Sequence, residues 1–359
     1  MHNKRITWFA LLMALMLVAA ACGGDKEATT TGGNDGDDPA AEETSDIKVG
    51  LALDVGGVGD KSFNDAADRG LQQAIDEGLV SEENTKLLET NQTGSTRDAN
   101  VVNLLDSGYD LVLGIGFSFS PGVDKIAADY PDQFIGIVDG FAAEADNVAN
   151  LGFKEHEGSF LVGAAAALKS KTGTIGFLGG QEGTGLIEKF EAGYAAGAEA
   201  VNPDIEILVE YIGDSVQAFV DPTKGEALSE KMYDGGADVI YHASGQSGLG
   251  LFKAAVNANK LAIGVDSDQS LTASPEEQKL ILTSMLKRVD TAVYDAIKNV
   301  VEDSWQPGFI SLGLAEEGVD YAANEFNDND DLLSSDIQAK LDEFKQQIID
   351  GEITVSEKP

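Results

Sequence analysis

The chain has 359 residues, 43% hydrophobic and 24% charged, proportions that suit a globular protein of one large or two moderate domains. Its 24 basic residues stand against 62 acidic ones, a formal net charge of −38, which excludes a nucleic-acid binder, because such a protein needs a basic face to displace counterions. One cysteine rules out an intrachain disulfide and a thiolate zinc site, and three histidines leave little material for triad or metal chemistry.

Residues 1–21 read as an export signal: Lys4 and Arg5 form the basic start, and 8–18 form an apolar stretch too short to span a membrane. Small residues then lead into Cys22, a pattern that resembles a bacterial lipobox, with Ala19 standing where leucine is more usual. Lipidation at Cys22 is therefore expected, giving an anchor on the extracytoplasmic face of the cell membrane. The alternative is an ordinary cleavage after Ala21. Residues 23–46 carry almost no large apolar side chain, so they are expected to form a disordered acidic tether.

From residue 47 the pattern becomes regular. Strands are expected at 47–53, 86–89, 111–116, 134–138 and 148–153, with helices at 62–77, 97–107 and 121–130 between them. The rhythm then restarts with helix 155–169, strand 174–178, helix 184–201, strand 205–211, helix 223–233, strand 239–243, helix 248–258 and strand 261–265. An extended piece at 280–286, helix 289–301, an extended piece at 309–314 and helix 335–349 complete the chain. Short runs that are apolar on both faces are the mark of parallel strands covered by helices, and two successive series imply two α/β lobes. The expected division is a first lobe at 47–153 with a return segment at about 288–304, and a second lobe at 154–287 with a return segment at about 305–359.

Ligands in open parallel sheets sit beyond the carboxyl ends of the strands, and three such ends carry an acid: Asp54, Asp139 and Asp266. Any one of them alone could be a turn or cap residue. Ionised carboxylates only accept hydrogen bonds, so a site lined by several suits a ligand that offers hydroxyl, amine or amide donors and repels a phosphate. The stretch from Asp54 to Asn64 is rich in glycine, but Asp60 precedes its Lys-Ser pair, and a negative charge does not belong in a phosphate cradle. Ser62 reads as the cap of the helix that follows, and Phe63 as a flat surface facing a cleft. Phe117 and Phe119 stay without a role. His156 and His242 read as structural, neither having an evident partner, and Asp268 and Gln269 as turn residues.

These residues carry a resemblance. The opening Asp54-x-Gly-Gly-x-x-Asp60-Lys-Ser-Phe-Asn64, supported by Glu157-Gly-Ser-Phe-Leu-x-Gly163, Phe190-x-x-Gly-Tyr-x-x-Gly197, Tyr211-x-Gly213, Gly264-Val-Asp266 and Thr283-Ser-Met-Leu-Lys287, resembles the basic membrane protein family. These are bacterial substrate-binding lipoproteins whose best-understood members are purine-nucleoside receptors of ABC importers. The resemblance implies a two-lobed type I periplasmic-binding-protein fold, each lobe a mostly parallel sheet flanked by helices, with the ligand in the cleft between them. It implies that Phe63 and Phe190 sandwich the base, that Asn64 and Asp139 read its polar edge, and that Asp266 and Lys287 hold the ribose. Gly213 would let the backbone approach, and Asp54 would sit in the site region. It implies no cofactor, no metal and no catalysis. The partners would be a nucleoside, the permease and ATPase subunits, and the membrane through the anchor, with a monomer as the unit.

The residues leave other readings open: a receptor or sensor of the same fold for a small neutral ligand such as a sugar, or an exported nucleoside hydrolase. Phe190 alone could be core, and Lys287 could be a surface residue.

Overall fold

A computed structural model describes residues 45–359; the expected signal, Cys22 and nearly all of the tether lie outside the described residues. The chain forms two six-stranded sheets. The first contains β1 (Val49–Leu53), β2 (Thr85–Glu89), β3 (Leu111–Ile115), β4 (Phe134–Val138) and β5 (Val148–Phe153). The second contains β6 (Thr174–Gln181), β7 (Glu206–Gly213), β8 (Val239–Ala243), β9 (Leu261–Asp266) and β10 (Ile281–Lys287). Strands β1, β3, β5 and β8 are buried along their whole length, as parallel strands covered on both faces must be.

The helices are α1 (Phe63–Asp76), α2 (Arg97–Asp106), α3 (Ser120–Ile126), α4 (Glu155–Lys169), α5 (Ile187–Val201), α6 (Pro222–Asp234), α7 (Leu249–Ala258), α8 (Val289–Val301) and α9 (Ser335–Ile349). Most expected elements fall within one to three residues of these bounds.

Residues 308–321 depart from expectation. A strand at Gly308–Leu312, β11, pairs in parallel with β5, so it extends the first sheet and not the second. Only then does the chain return, as Val319–Tyr321, β12, antiparallel beside β10. The three residues of β12 carry no periodicity, which is why the sequence pattern does not show it. Three segments thus link the sheets, at residues 153–155, 287–289 and 312–319.

The sheet orders are β11-β5-β4-β3-β1-β2 and β12-β10-β9-β8-β6-β7. In each, the order reverses beside the first strand, between β1 and β3 and between β6 and β8. The loops that leave such a pair diverge and open a crevice at the carboxyl ends of the strands. Within the second lobe, α4 and α5 approach closely enough that a Cβ at Gly163 would strike the backbone at Tyr194, and one at Gly193 the backbone at His156. The glycines of the Phe190-x-x-Gly-Tyr-x-x-Gly197 pattern therefore seat α5, and with it Phe190, against the lobe.

Candidate functional site

A cleft of about 640 Å³, counting its part open to solvent, lies between the carboxyl ends of the two sheets. Asp54, Phe63, Asn64, Asp139, Phe190, Asp266 and Lys287 all line it; Gly213 does not. The Gly213 carbonyl instead accepts the Glu182 N–H at 2.8 Å and shapes a neighbouring loop.

The loop after β1 is built by glycine and acid together. Gly56, Gly57 and Gly59 have φ of +99°, +57° and +98°, a region that side chains rarely adopt, so the chain can turn back at once from strand to helix. The carboxylate of Asp60 then accepts the backbone N–H groups of Ser62, Asn64 and Asp65 at 2.9, 2.8 and 3.2 Å. Asp60 is the cap of α1, not Ser62, whose side chain makes no cap bond. An acid that would spoil a phosphate cradle here satisfies the orphan amides of a helix start.

Asn64 is held by the same loop. Its Oδ1 accepts the Asp54 N–H at 3.1 Å, and its Nδ2 donates to Asp60 at 2.9 Å and to the Val55 carbonyl at 3.4 Å. Its amide braces the loop from the cleft wall. Asp54 is engaged too, by Arg97 Nε at 2.6 Å and Nη2 at 2.5 Å. Burial raises the Asp54 pKa, and Arg97 opposes the shift.

Asp139 follows β4 and Asp266 ends β9, with φ of +59° and +63°. Two non-glycine residues in the left-handed region at matching strand ends aim their carboxylates into the cleft at a cost in backbone strain. Burial pushes both groups up to about 6, against the pull of Lys287. Asp266 accepts a 2.5 Å hydrogen bond from Ser62 Oγ.

Lys287 ends β10 with its side chain 1% exposed. Its ammonium lies 2.6 Å from Asp139 and 3.1 Å from Glu155. The rings of Phe63, Phe153 and Phe190 surround it, with centroids at 5.3, 5.0 and 5.4 Å, within cation–π range. Burial alone would lower its pKa, but the attraction of Asp139, Glu155 and Asp266 outweighs that and raises it. Phe63 from the first lobe and Phe190 from the second therefore converge on one cation in one cleft. Phe190 is also 3% exposed and packs with the core.

Sequence reasoning passes over Arg97, Glu155 and the network around His242. Glu155 reads only as an acid in a first helical turn, and nothing local marks Arg97 as a partner of Asp54. His242 does have a partner: its Nε2 lies 2.8 Å from Gln269 Oε1, and burial lowers its pKa to about 4, leaving it neutral. Gln269 is thus a buried bracing residue. Phe117 lines the cleft, whereas Phe119 is buried beneath it.

The sequence model of a family described as Bmp, ABC transporter substrate-binding protein PnrA-like, matches residues 47–358. The CD4+ T-cell-stimulating antigen of Listeria monocytogenes is 38% identical over 332 residues, covering 89% of this chain and 90% of that one. The ABC transporter nucleoside-binding protein BmpA of Lactococcus lactis is 33% identical over 329 residues, covering 88% and 90%. An ABC transporter solute-binding protein from Aeropyrum pernix superposes with a TM-score of 0.72 at 31% identity, covering 86% of this chain and 92% of that structure.

Proposed function

This chain belongs to the Bmp family of PnrA-like ABC transporter substrate-binding proteins, and on that premise we propose that its ligand is a nucleoside, of the purine class. Its fold is that of a type I periplasmic binding protein, and its family is one of solute capture, not of enzymes. Its partners are a solute and a transporter. The observation that carries the nucleoside reading is the convergence of Phe63 and Phe190, from opposite lobes, on a cleft whose other side chains include Asp139 and Asp266. A flat heterocycle fits between aromatic faces, and stacking contributes about 1–3 kcal/mol per base. Carboxylates accept from base N–H groups and from vicinal ribose hydroxyls. In this reading Asp139 faces the base, Asp266 and Lys287 face the ribose, and Asn64 and Asp54 shape the loop. The larger stacking surface of a purine favours it over a pyrimidine.

The protein acts next to a membrane. Among the described residues no helix is long and apolar enough to span one. Lipid on Cys22 and the tether that follows would hold the folded body, as a monomer, near the permease. Metabolic labelling with palmitate tests this: label should enter the wild type and be lost in Cys22→Ser.

Calorimetry with inosine, hypoxanthine, uridine, ribose and glucose tests the ligand. Inosine should bind more tightly than uridine, the free base and either sugar. Preference for a sugar would overturn the reading.

A further inference from the structure

The cation at the centre of the cleft is already spent. Lys287 Nζ donates a hydrogen bond to Asp139 Oδ2 at 2.7 Å and is ion-paired with Glu155 Oε1 at 3.1 Å, although neither Glu155 oxygen accepts a hydrogen bond among the described residues. Glu155 is itself fully buried at the first position of α4, where the chain has just crossed from the first sheet to the second. Its other oxygen lies 3.8 Å from Lys189, and Lys189 lies 3.9 Å from Glu357. Asp139, Lys287, Glu155, Lys189 and Glu357 form an alternating chain of three negative and two positive charges, with no positive charge to spare. Asp266 adds a further negative group at the cleft wall. Lys287 is the sole cationic side chain among the cleft's described lining residues.

We propose that Glu155 is a specificity-determining residue that acts through Lys287: by cancelling its charge, it restricts the cleft to uncharged ligands and turns away phosphorylated forms of the same molecules. This rests on the nucleoside reading above and extends it to a residue that touches no ligand. A buried ammonium held by one carboxylate instead of two would be a ready counter-ion for a phosphate, because charge interactions in a desolvated site are strong. Glu155 removes that option, whereas an N–H of Lys287 still serves a hydroxyl. Lys189 limits the effect from behind by sharing the Glu155 charge.

The experiment compares the affinities of inosine and of its 3′- and 5′-monophosphates, measured by calorimetry on the full folded chain. Wild type should bind inosine and discriminate against both monophosphates. Glu155→Gln, which keeps the shape and removes the charge, should lower that discrimination about tenfold or more for at least one monophosphate. Glu155→Asp should restore most of it. An unchanged ratio in a folded Glu155→Gln protein overturns the proposal, even if both affinities fall together, since that is what a purely structural role predicts. Should Glu155→Gln not fold, Lys189→Met decides the matter: it leaves Glu155 wholly to Lys287, so discrimination should rise about threefold or more, and an unaltered ratio counts against us. Failure of wild type to bind inosine at all would instead sink the nucleoside reading, so the two are separable.

Discussion

Ser62 and Asp266 lie 204 residues apart and on opposite lobes, yet the hydroxyl of one donates to the carboxylate of the other at 2.5 Å. Around this bond, Ser267 Oγ donates to the Ser62 carbonyl at 2.9 Å, Arg69 Nη2 donates to Ser267 Oγ at 2.9 Å, and Lys61 Nζ donates to the Thr272 carbonyl at 3.0 Å. The lobes are thus tied directly beside a carboxylate that we assign to the ligand.

That tie predicts the behaviour of Ser62→Ala. Hydrogen bonds to charged groups contribute about 1.5–3 kcal/mol, so the variant should bind inosine more weakly by roughly that amount. Helix α1 should be undisturbed, since Asp60 caps it. Calorimetry reads the first, and a thermal melt without ligand reads the second. Wild-type affinity in the variant would mean that the contact plays no part in closure.

The two phenylalanines should separate in their effects. Phe63→Ala is expected to weaken inosine binding by about 1–3 kcal/mol, with a small change in stability, because its ring is only partly buried. Phe190→Ala should weaken binding and also destabilise the fold by about 3–5 kcal/mol, as large-to-small core changes do. Denaturant titration beside calorimetry distinguishes the two, and equal affinity in Phe63→Ala would remove the stacking assignment.

Asp139 and Asp266 make stability and affinity run in opposite directions with pH. Burial raises both from an ordinary carboxylate value to about 6. A group whose pKa is higher folded than unfolded favours the fold most below its unfolded value and loses that contribution as pH rises through the folded one. Acidification from pH 7 to 5 should therefore stabilise the unliganded protein. The neighbours of these groups, Lys287, Glu155, Asp60 and Ser62, are common to the variants compared, so the gain should be smaller in Asp266→Asn. Ligand donors need the ionised form, so inosine affinity should fall over the same interval. Melts and calorimetry at pH 5, 6 and 7 check both; affinity that is flat across the interval would free these carboxylates of any ligand role.

Lys287 is expected to be costly to remove. Lys287→Met leaves Asp139 and Glu155 buried without their cation, and breaking such a pair destabilises by about 3–5 kcal/mol. Adding Asp139→Asn should recover part of the loss, since it takes away one of the stranded charges. Chemical denaturation of the single and double variants gives the coupling, and simple additivity would contradict the pairing.

Alternating apolar runs and helical patterns are local properties, which is why β1 through β10 and helices as distant as α9 are legible along the chain. Acids at the ends of β1, β4 and β9 are legible for the same reason: a position relative to a strand end is local, and it places Asp54, Asp139 and Asp266 at the crevice before any contact is known. Phe63 followed from the loop it belongs to, whereas Asn64 came from the family resemblance. Partnership is different. Whether Asp60 or Ser62 caps α1, whether Asn64 faces the cleft or braces its loop, and whether Lys287 meets solvent or Asp139 depend on which distant groups arrive beside them. The same holds for β11, whose five residues suit either sheet edge by pattern and join β5 because α8 delivers the chain to that side. Periodicity encodes burial and so reaches the elements; hydrogen bonds and ion pairs across 148 or 204 residues encode no local signal, so they exist only once the two sheets have packed.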